Sequence, residues 1–273
     1  MHQLKIIFYI VGLDIKRVLM DKYFYIAIFA TCILLFTMNT YKNEWGKEYG
    51  VLSSFAEFTN EQLSENFITA ESICEKAKGG GELYLYGPML SFLPLLFFLV
   101  TEKRRGAFRL QLFRVGKTSY VVGKLITTIL VGGSVIALGY LIFCGSVYVL
   151  FPHEGGTLGI TFHSISNFFF YGASTAVLGY IISSFVTNVY LVYCVPFIFN
   201  YFTYSIITNK IGANGYGTKK EIMLTSLKEQ STMYFNSYDK SHQQGILIVQ
   251  GCILLFSVIL YRMILQCKVD CGE

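Results

Sequence analysis

Charge is scarce in this chain of 273 residues. Asp, Glu, Lys and Arg make up 14% of it, where a typical soluble domain carries roughly 25%. Histidine occurs four times and never inside a long apolar run, and those runs also hold no Asp or Glu. What is abundant is apolar: 53% of residues are hydrophobic and 16% are aromatic. This composition excludes a disordered chain, a secreted disulfide scaffold and most soluble enzymes. The seven cysteines make no framework. Cys32, Cys144, Cys194 and Cys252 lie within apolar runs, Cys74 stands alone, and Cys267 and Cys271 are two ligands where a structural zinc site needs four. No metal site is expected, and most cysteines read as small apolar filler.

The apolar residues fall in blocks. A helix that crosses a bilayer needs about 20 mostly apolar residues, and six blocks qualify: Tyr23–Met38, Leu83–Val100, Leu125–Phe151, Phe168–Val186, Val189–Ile207 and Gly245–Leu265. Backbone polar groups in lipid must bond internally, and continuous blocks answer that as helices. A transmembrane barrel would show short alternating segments instead. The expected fold is therefore an all-α membrane protein with six transmembrane helices. The polar lead-in before Tyr23 is too long for a cleaved signal peptide, and Thr37-Met38-Asn39-Thr40 offers no small-residue cleavage site.

Charge sets the expected orientation. With the N-terminus in the cytoplasm, the inner segments are 1–22, 101–124, 187–188 and 262–273, with 13 basic and 5 acidic residues. The outer segments 39–82, 152–167 and 208–244 hold 9 basic and 12 acidic residues. The overall charge of +5 thus hides an asymmetry that follows the positive-inside rule. Both termini are expected in the cytoplasm. The positive charge sits at a membrane edge, where it faces anionic lipid or a protein partner and not nucleic acid.

Within 1–22, Leu4, Ile7, Phe8, Val11, Ile15, Val18 and Leu19 recur at helical spacing beside Lys5, Lys16, Arg17 and Lys22. This pattern predicts an amphipathic helix along the inner interface, with an extension of the first span as the alternative. The outer segment 39–82 carries eight Glu and four Lys, and Gly79-Gly80-Gly81 predicts a hinge into the second span. In 208–244, residues 211–217 are turn-rich and 219–235 are compatible with a short helix.

Two motifs fail on inspection. Gly116-Lys117-Thr118 resembles the end of a phosphate-binding loop, but the required glycine five residues earlier is Gln111. His153-Glu154 begins like a zinc-protease motif, but Thr157 stands where the second histidine belongs. No enzyme site is visible, and no ATP-binding motif.

Ion-coupled carriers use an ionisable group at membrane depth. Here Lys124 and Arg262 fall at inner ends, where a long side chain can snorkel to water. Energy for any uphill transport should then come from another chain. The best docking surface is 101–124, where Phe108, Leu110, Leu112 and Phe113 interleave with Arg105, Arg109 and Arg114. A solvated loop with orientation charges is the plainer alternative.

This stretch resembles the cytoplasmic segment of ATP-binding-cassette exporter permeases of the second type. Glu102, Gly106, Leu110 and Leu112, the turn Val115-Gly116-Lys117, and Gly123-Lys124 stand at the family's spacing. Ala107 replaces the usual Ser or Thr, and Val115 the usual Pro. The resemblance extends to the inner amphipathic helix, the six spans and the outer segment before the last span. It implies that residues 1–273 form one permease domain, paired with an identical or sister permease. It also implies a separate ATPase subunit that binds ATP and magnesium. Residues 102–117 would be the coupling helix, with Glu102, Arg104, Arg105, Gly106, Phe108, Arg109, Arg114 and Lys117 at the docking surface. The second and fifth spans line the path in that family, which makes Phe92, Pro94, Phe97, Tyr193, Pro196, Phe197 and Asn200 candidate lining residues. Thr175, Gly179 and Ser183 form a small-residue stripe that reads as helix packing.

The implied function is outward movement of an amphipathic or hydrophobic substrate: an antimicrobial peptide, a lipid-like molecule or a drug. The alternatives are an ATP-independent channel or carrier, and a membrane anchor or sensor without transport. The richness in Ile, Phe, Tyr, Lys and Asn, with 16 Lys against 6 Arg, points to an AT-rich bacterial genome; with the six expected spans, the expected location is a bacterial cell membrane, crossed several times.

Overall fold

The structure is a computed structural model that describes residues 2–42, 48–58, 68–77, 81–104, 111, 113–152, 158–186, 188–214 and 259. The described chain is mostly helical. Its elements are α1 (His2–Leu19), α2 (Lys22–Phe36), β1 (Asn39–Lys42), β2 (Glu48–Gly50), α3 (Val51–Glu57), α4 (Ala70–Lys76), α5 (Gly81–Arg104), α6 (Lys117–Leu150), α7 (Leu158–Phe185) and α8 (Val189–Asn214).

Five of the six expected apolar blocks lie in α2, α5, α6, α7 and α8. The block Gly245–Leu265 lies outside the described residues apart from Ile259. Two stretches are long and apolar enough to cross a membrane, Thr118–Leu150 and Ser164–Ser183. The pair Gln3–Leu19 and Lys22–Phe36 makes a third if it is one broken span. These are the helices of a membrane-embedded chain.

α1 and α2 meet at 69°. Asp21 makes the corner: its side chain accepts a bond from the Tyr23 amide and caps α2. One face of α1 is buried through Ile10, Val11, Asp14 and Val18, at spacings of three and four. Leu4, Phe8, Tyr9 and Met20 are exposed, as are Lys5, Lys16 and Arg17.

α6 packs against α1, α2, α4, α5 and α7. At 34 residues and 1.5 Å per residue it is about 50 Å long, well beyond the roughly 30 Å of a hydrocarbon core. It starts at Lys117, earlier than the block at Leu125, so its first two turns extend past the apolar stretch. α8 likewise runs to Asn214, through the turn expected at Gly212. An interior glycine costs a helix only about 1 kcal/mol.

The seam between α6 and α7 is closed by small residues. A Cβ at Gly132 would collide with Ala176, and one at Gly172 would sit 2.5 Å from the Gly132 carbonyl oxygen. Such close approach replaces the hydrophobic drive that lipid does not supply. Hydroxyls in α2, α6 and α7 turn on their own backbones: Thr31 donates to the Ala27 carbonyl, Thr127 to Gly123, Thr128 to Lys124, and Ser183 to Tyr180. At the far end of α6, Tyr140 donates to the Cys74 carbonyl at 3.1 Å, and the Ala70 amide donates to the Pro152 carbonyl at 2.9 Å. Segment 39–82 therefore closes back over that end through α4. Nearer its start it holds a short antiparallel pair, with Tyr41 opposite Tyr49 and Lys42 opposite Glu48.

Candidate functional site

Three helices each bring one residue pair to a single point. α1 brings Asp14 with Arg17, three residues on. α5 brings Phe98 with Glu102, and α6 brings Tyr120 with Lys124, each four apart. Such spacings put both members of a pair on one helix face. Lys124 is at the centre, only 1% exposed. Its Nζ lies 2.9 Å from Asp14 Oδ2 and 2.8 Å from Glu102 Oε2. It also stands 4.1 Å above the Phe98 ring and 5.4 Å from the Tyr120 ring, both within cation–π reach. The Tyr120 hydroxyl donates to Glu102 Oε2 at 3.4 Å. Arg17 closes the rim, 3.8 Å from Asp14 Oδ1 and 5.9 Å from the Phe98 ring.

The cluster is buried and costly. Asp14 and Glu102 are buried with the lysine. Burial pushes the Asp14 carboxyl above its usual range, Lys124 pulls it back, and the Glu102 charge pushes it further up. Glu102 Oε1 is buried with no hydrogen-bond partner among the described residues. Gly123, beside Lys124, lets α1 approach: a Cβ there would lie 3.1 Å from Ile10 Cγ2.

The expectation that Lys124 snorkels to water is corrected here. Two carboxylates within 3 Å and an aromatic face hold its ammonium inside the protein. Glu102, expected on the docking surface, turns inward to the same lysine. Arg114 is exposed, as is Phe113 next to it. Arg104 is the last residue of α5 and Lys117 the first of α6; their side chains lie outside the described part. Arg105, Gly106, Phe108 and Arg109 lie outside the described residues altogether. Gly116, in the expected turn, caps α6 at a φ of +85°, a backbone region that favours glycine.

The candidate path residues separate into two groups. Phe92 is fully buried against α7, where a Cβ on Gly179 would come within 2.6 Å of its ring. Ser91 and Thr175 share a hydrogen bond of 2.9 Å beside it. Thr175, Gly179 and Ser183 are all buried on α7, and the first two receive α5. Pro94 and Pro196 are buried within α5 and α8. Tyr193 is half-buried. Phe197 is half-buried and stacks on Tyr86 of α5 at 5.7 Å and on Tyr201 at 6.5 Å, with interplanar angles of 17° and 15°. Phe97 lies on α5 and Asn200 on α8, and their side chains are outside the described part.

Sequence reasoning missed Asp14, Tyr120, Tyr86 and Tyr201. Asp14 had a signal: it is the acid on the α1 stripe that runs through Ile10, Val11 and Val18. Among the described residues no three His, Cys, Asp or Glu side chains are grouped to hold a metal. A scan against protein-family models and a search of curated proteins found no match to this chain.

Proposed function

We propose that this chain is the membrane-spanning subunit of an ATP-driven exporter. The observation that carries the reading is the stretch joining α5 to α6. It is basic, its aromatics interleave with arginines, and it is bracketed by Glu102 and Lys124. The candidate spans Thr118–Leu150 and Ser164–Ser183 contain no acid, so an external energy source is the simpler supply.

In this reading the chain crosses the bacterial cell membrane six times, with both termini in the cytoplasm. α1 lies along the inner interface, its exposed Leu4, Phe8 and Tyr9 in the lipid and its basic residues towards anionic headgroups. A second permease, identical or a sister chain, completes the path. Each docks a separate ATPase subunit, which binds ATP and magnesium, through segment 103–117. Nucleotide binding shifts the permease only as far as the docked contacts differ between its two conformations. The stacked ladder of exposed Tyr86, half-buried Phe197 and exposed Tyr201 supports an amphipathic or hydrophobic cargo such as a peptide, lipid-like molecule or drug.

The test is flux of a fluorescent amphipathic cargo in proteoliposomes that hold this chain and its ATPase. Flux should require ATP hydrolysis and fall when Tyr86 and Phe197 are both replaced by Ala. The buried Asp14–Lys124–Glu102 cluster favours a second reading, an ATP-independent carrier driven by a proton gradient. That reading requires flux from this chain alone under a pH gradient.

A further inference from the structure

We propose that Lys124 is a positioning residue, the tie-point that fastens α1 to both ends of the 102–124 stretch. Glu102 stands at the exit from α5 and Lys124 near the entry to α6. Their 2.8 Å contact closes the stretch at its base. The same ammonium holds Asp14 at 2.9 Å, so α1 is fastened at the same point. A shift of either end of the stretch must carry α1 with it or break a contact to Lys124.

The chemistry argues for position over stability. Taking three charges out of water costs more than burying apolar groups of the same size, and buried ion pairs are often replaceable by such groups without loss. What the charges add is direction. An ammonium between two carboxylates, seated on the Phe98 ring, fixes one rotation and one height of α1 on α6, whereas an apolar contact tolerates sliding. Arg17 lies outside this tie, since its side chain is half exposed and 3.8 Å from Asp14.

The tie itself does not depend on the transport reading; that the stretch bears a load from an ATPase does. The experiment therefore reads α1 directly. A Cβ on Gly123 would lie 3.4 Å from Ile10 Cβ, close to the spacing of about 3.5–4.5 Å that a disulfide spans. Ile10→Cys with Gly123→Cys in the full chain, oxidised in its own membranes, should form that link, detected by mass spectrometry of the joined peptides. Adding Asp14→Asn, Glu102→Gln and Lys124→Met together should slow linking about tenfold while the apparent melting temperature changes little. Asp14→Leu alone, which leaves Lys124 with Glu102, should slow linking as well, and it decides the matter if the triple variant does not fold. Linking at the unchanged rate in these variants would overturn the tie. Failure to link in the starting pair would overturn the placement of α1 on α6. Absence of an ATPase from the membranes would count against the transport reading and leave the linking result standing.

Discussion

The two faces of α6 are held by opposite means. Towards α7 it is neutral and closed by size: Gly132, Gly172 and Ala176 bring two backbones together, and Phe92 of α5 settles on Gly179 beside them. Towards α1 it is charged and closed by direction, with one ammonium answering two carboxylates. The first contact should fail when volume is added and be indifferent to charge. The second should fail when charge is unbalanced and tolerate its complete removal. In lipid neither face gains much from apolar burial alone, so shape and charge carry the specificity.

Unbalancing the charged face should have the largest effect. Lys124→Met leaves Asp14 and Glu102 buried without their cation and should cost about 3–5 kcal/mol, read as a loss of folded chain in denaturant titration in detergent. The neutral triple variant should recover most of that loss; a triple as unstable as the single would show that the charges hold the fold together and not its register. On the neutral face, Gly132→Val or Gly179→Val should cost about 1–3 kcal/mol by overpacking, with a compensating small substitution at Ala176 or Phe92 restoring part of it. A value near zero would mean that the helices separate freely there. Smaller again, Ser91→Ala should cost about 0.6 kcal/mol, because Thr175 keeps its bonds to the Tyr171 and Gly172 carbonyls.

The smallest effect is the pH dependence of Asp14. Burial raises its carboxyl above the usual 3.8, so the folded chain holds that proton more tightly than the unfolded chain. The stability it contributes is present below the unfolded value and lost as pH rises through the folded one. Raising the pH from about 4 to about 7 should therefore lower the melting temperature of the wild type relative to Asp14→Asn. An unchanged or opposite trend would place Asp14 in a more polar setting than the structure gives it.

The apolar helices were legible in the sequence; the contacts on either face of α6 were not. Apolar block length located α2, α5, α6, α7 and α8 as apolar helices, of which α6 and α7 hold stretches long enough to cross a membrane and α5 and α8 hold the shorter ones Leu85–Leu96 and Val189–Phe199. The stripe Thr175, Gly179, Ser183 announced a close contact through its spacing alone, and the helix it receives is α5; Gly132, Gly172 and Ala176, which close α6 on α7, were not singled out. Lys124 and Glu102 were each visible as charges at block ends, and topology accounts for such charges as orientation signals. Nothing in the spacing says that two charges 22 residues apart meet, nor that Asp14 joins them, since that depends on how α1 turns at Asp21. Phe92 misled for a related reason: a helix pattern shows that a ring is apolar, not which neighbour it faces. Tyr86 and Tyr201 were passed over because stacking across α5 and α8 depends on their tertiary register.

The transport reading rests on whether another chain supplies the energy, and one preparation addresses that directly. This chain is purified in mild detergent from the membranes of the cell that encodes it, alongside the variant Phe108→Ala with Arg109→Ala. The expected result is an ATPase subunit that co-purifies with the wild type and is lost from the variant. If no nucleotide-binding protein accompanies either, the ATP-driven mechanism is contradicted.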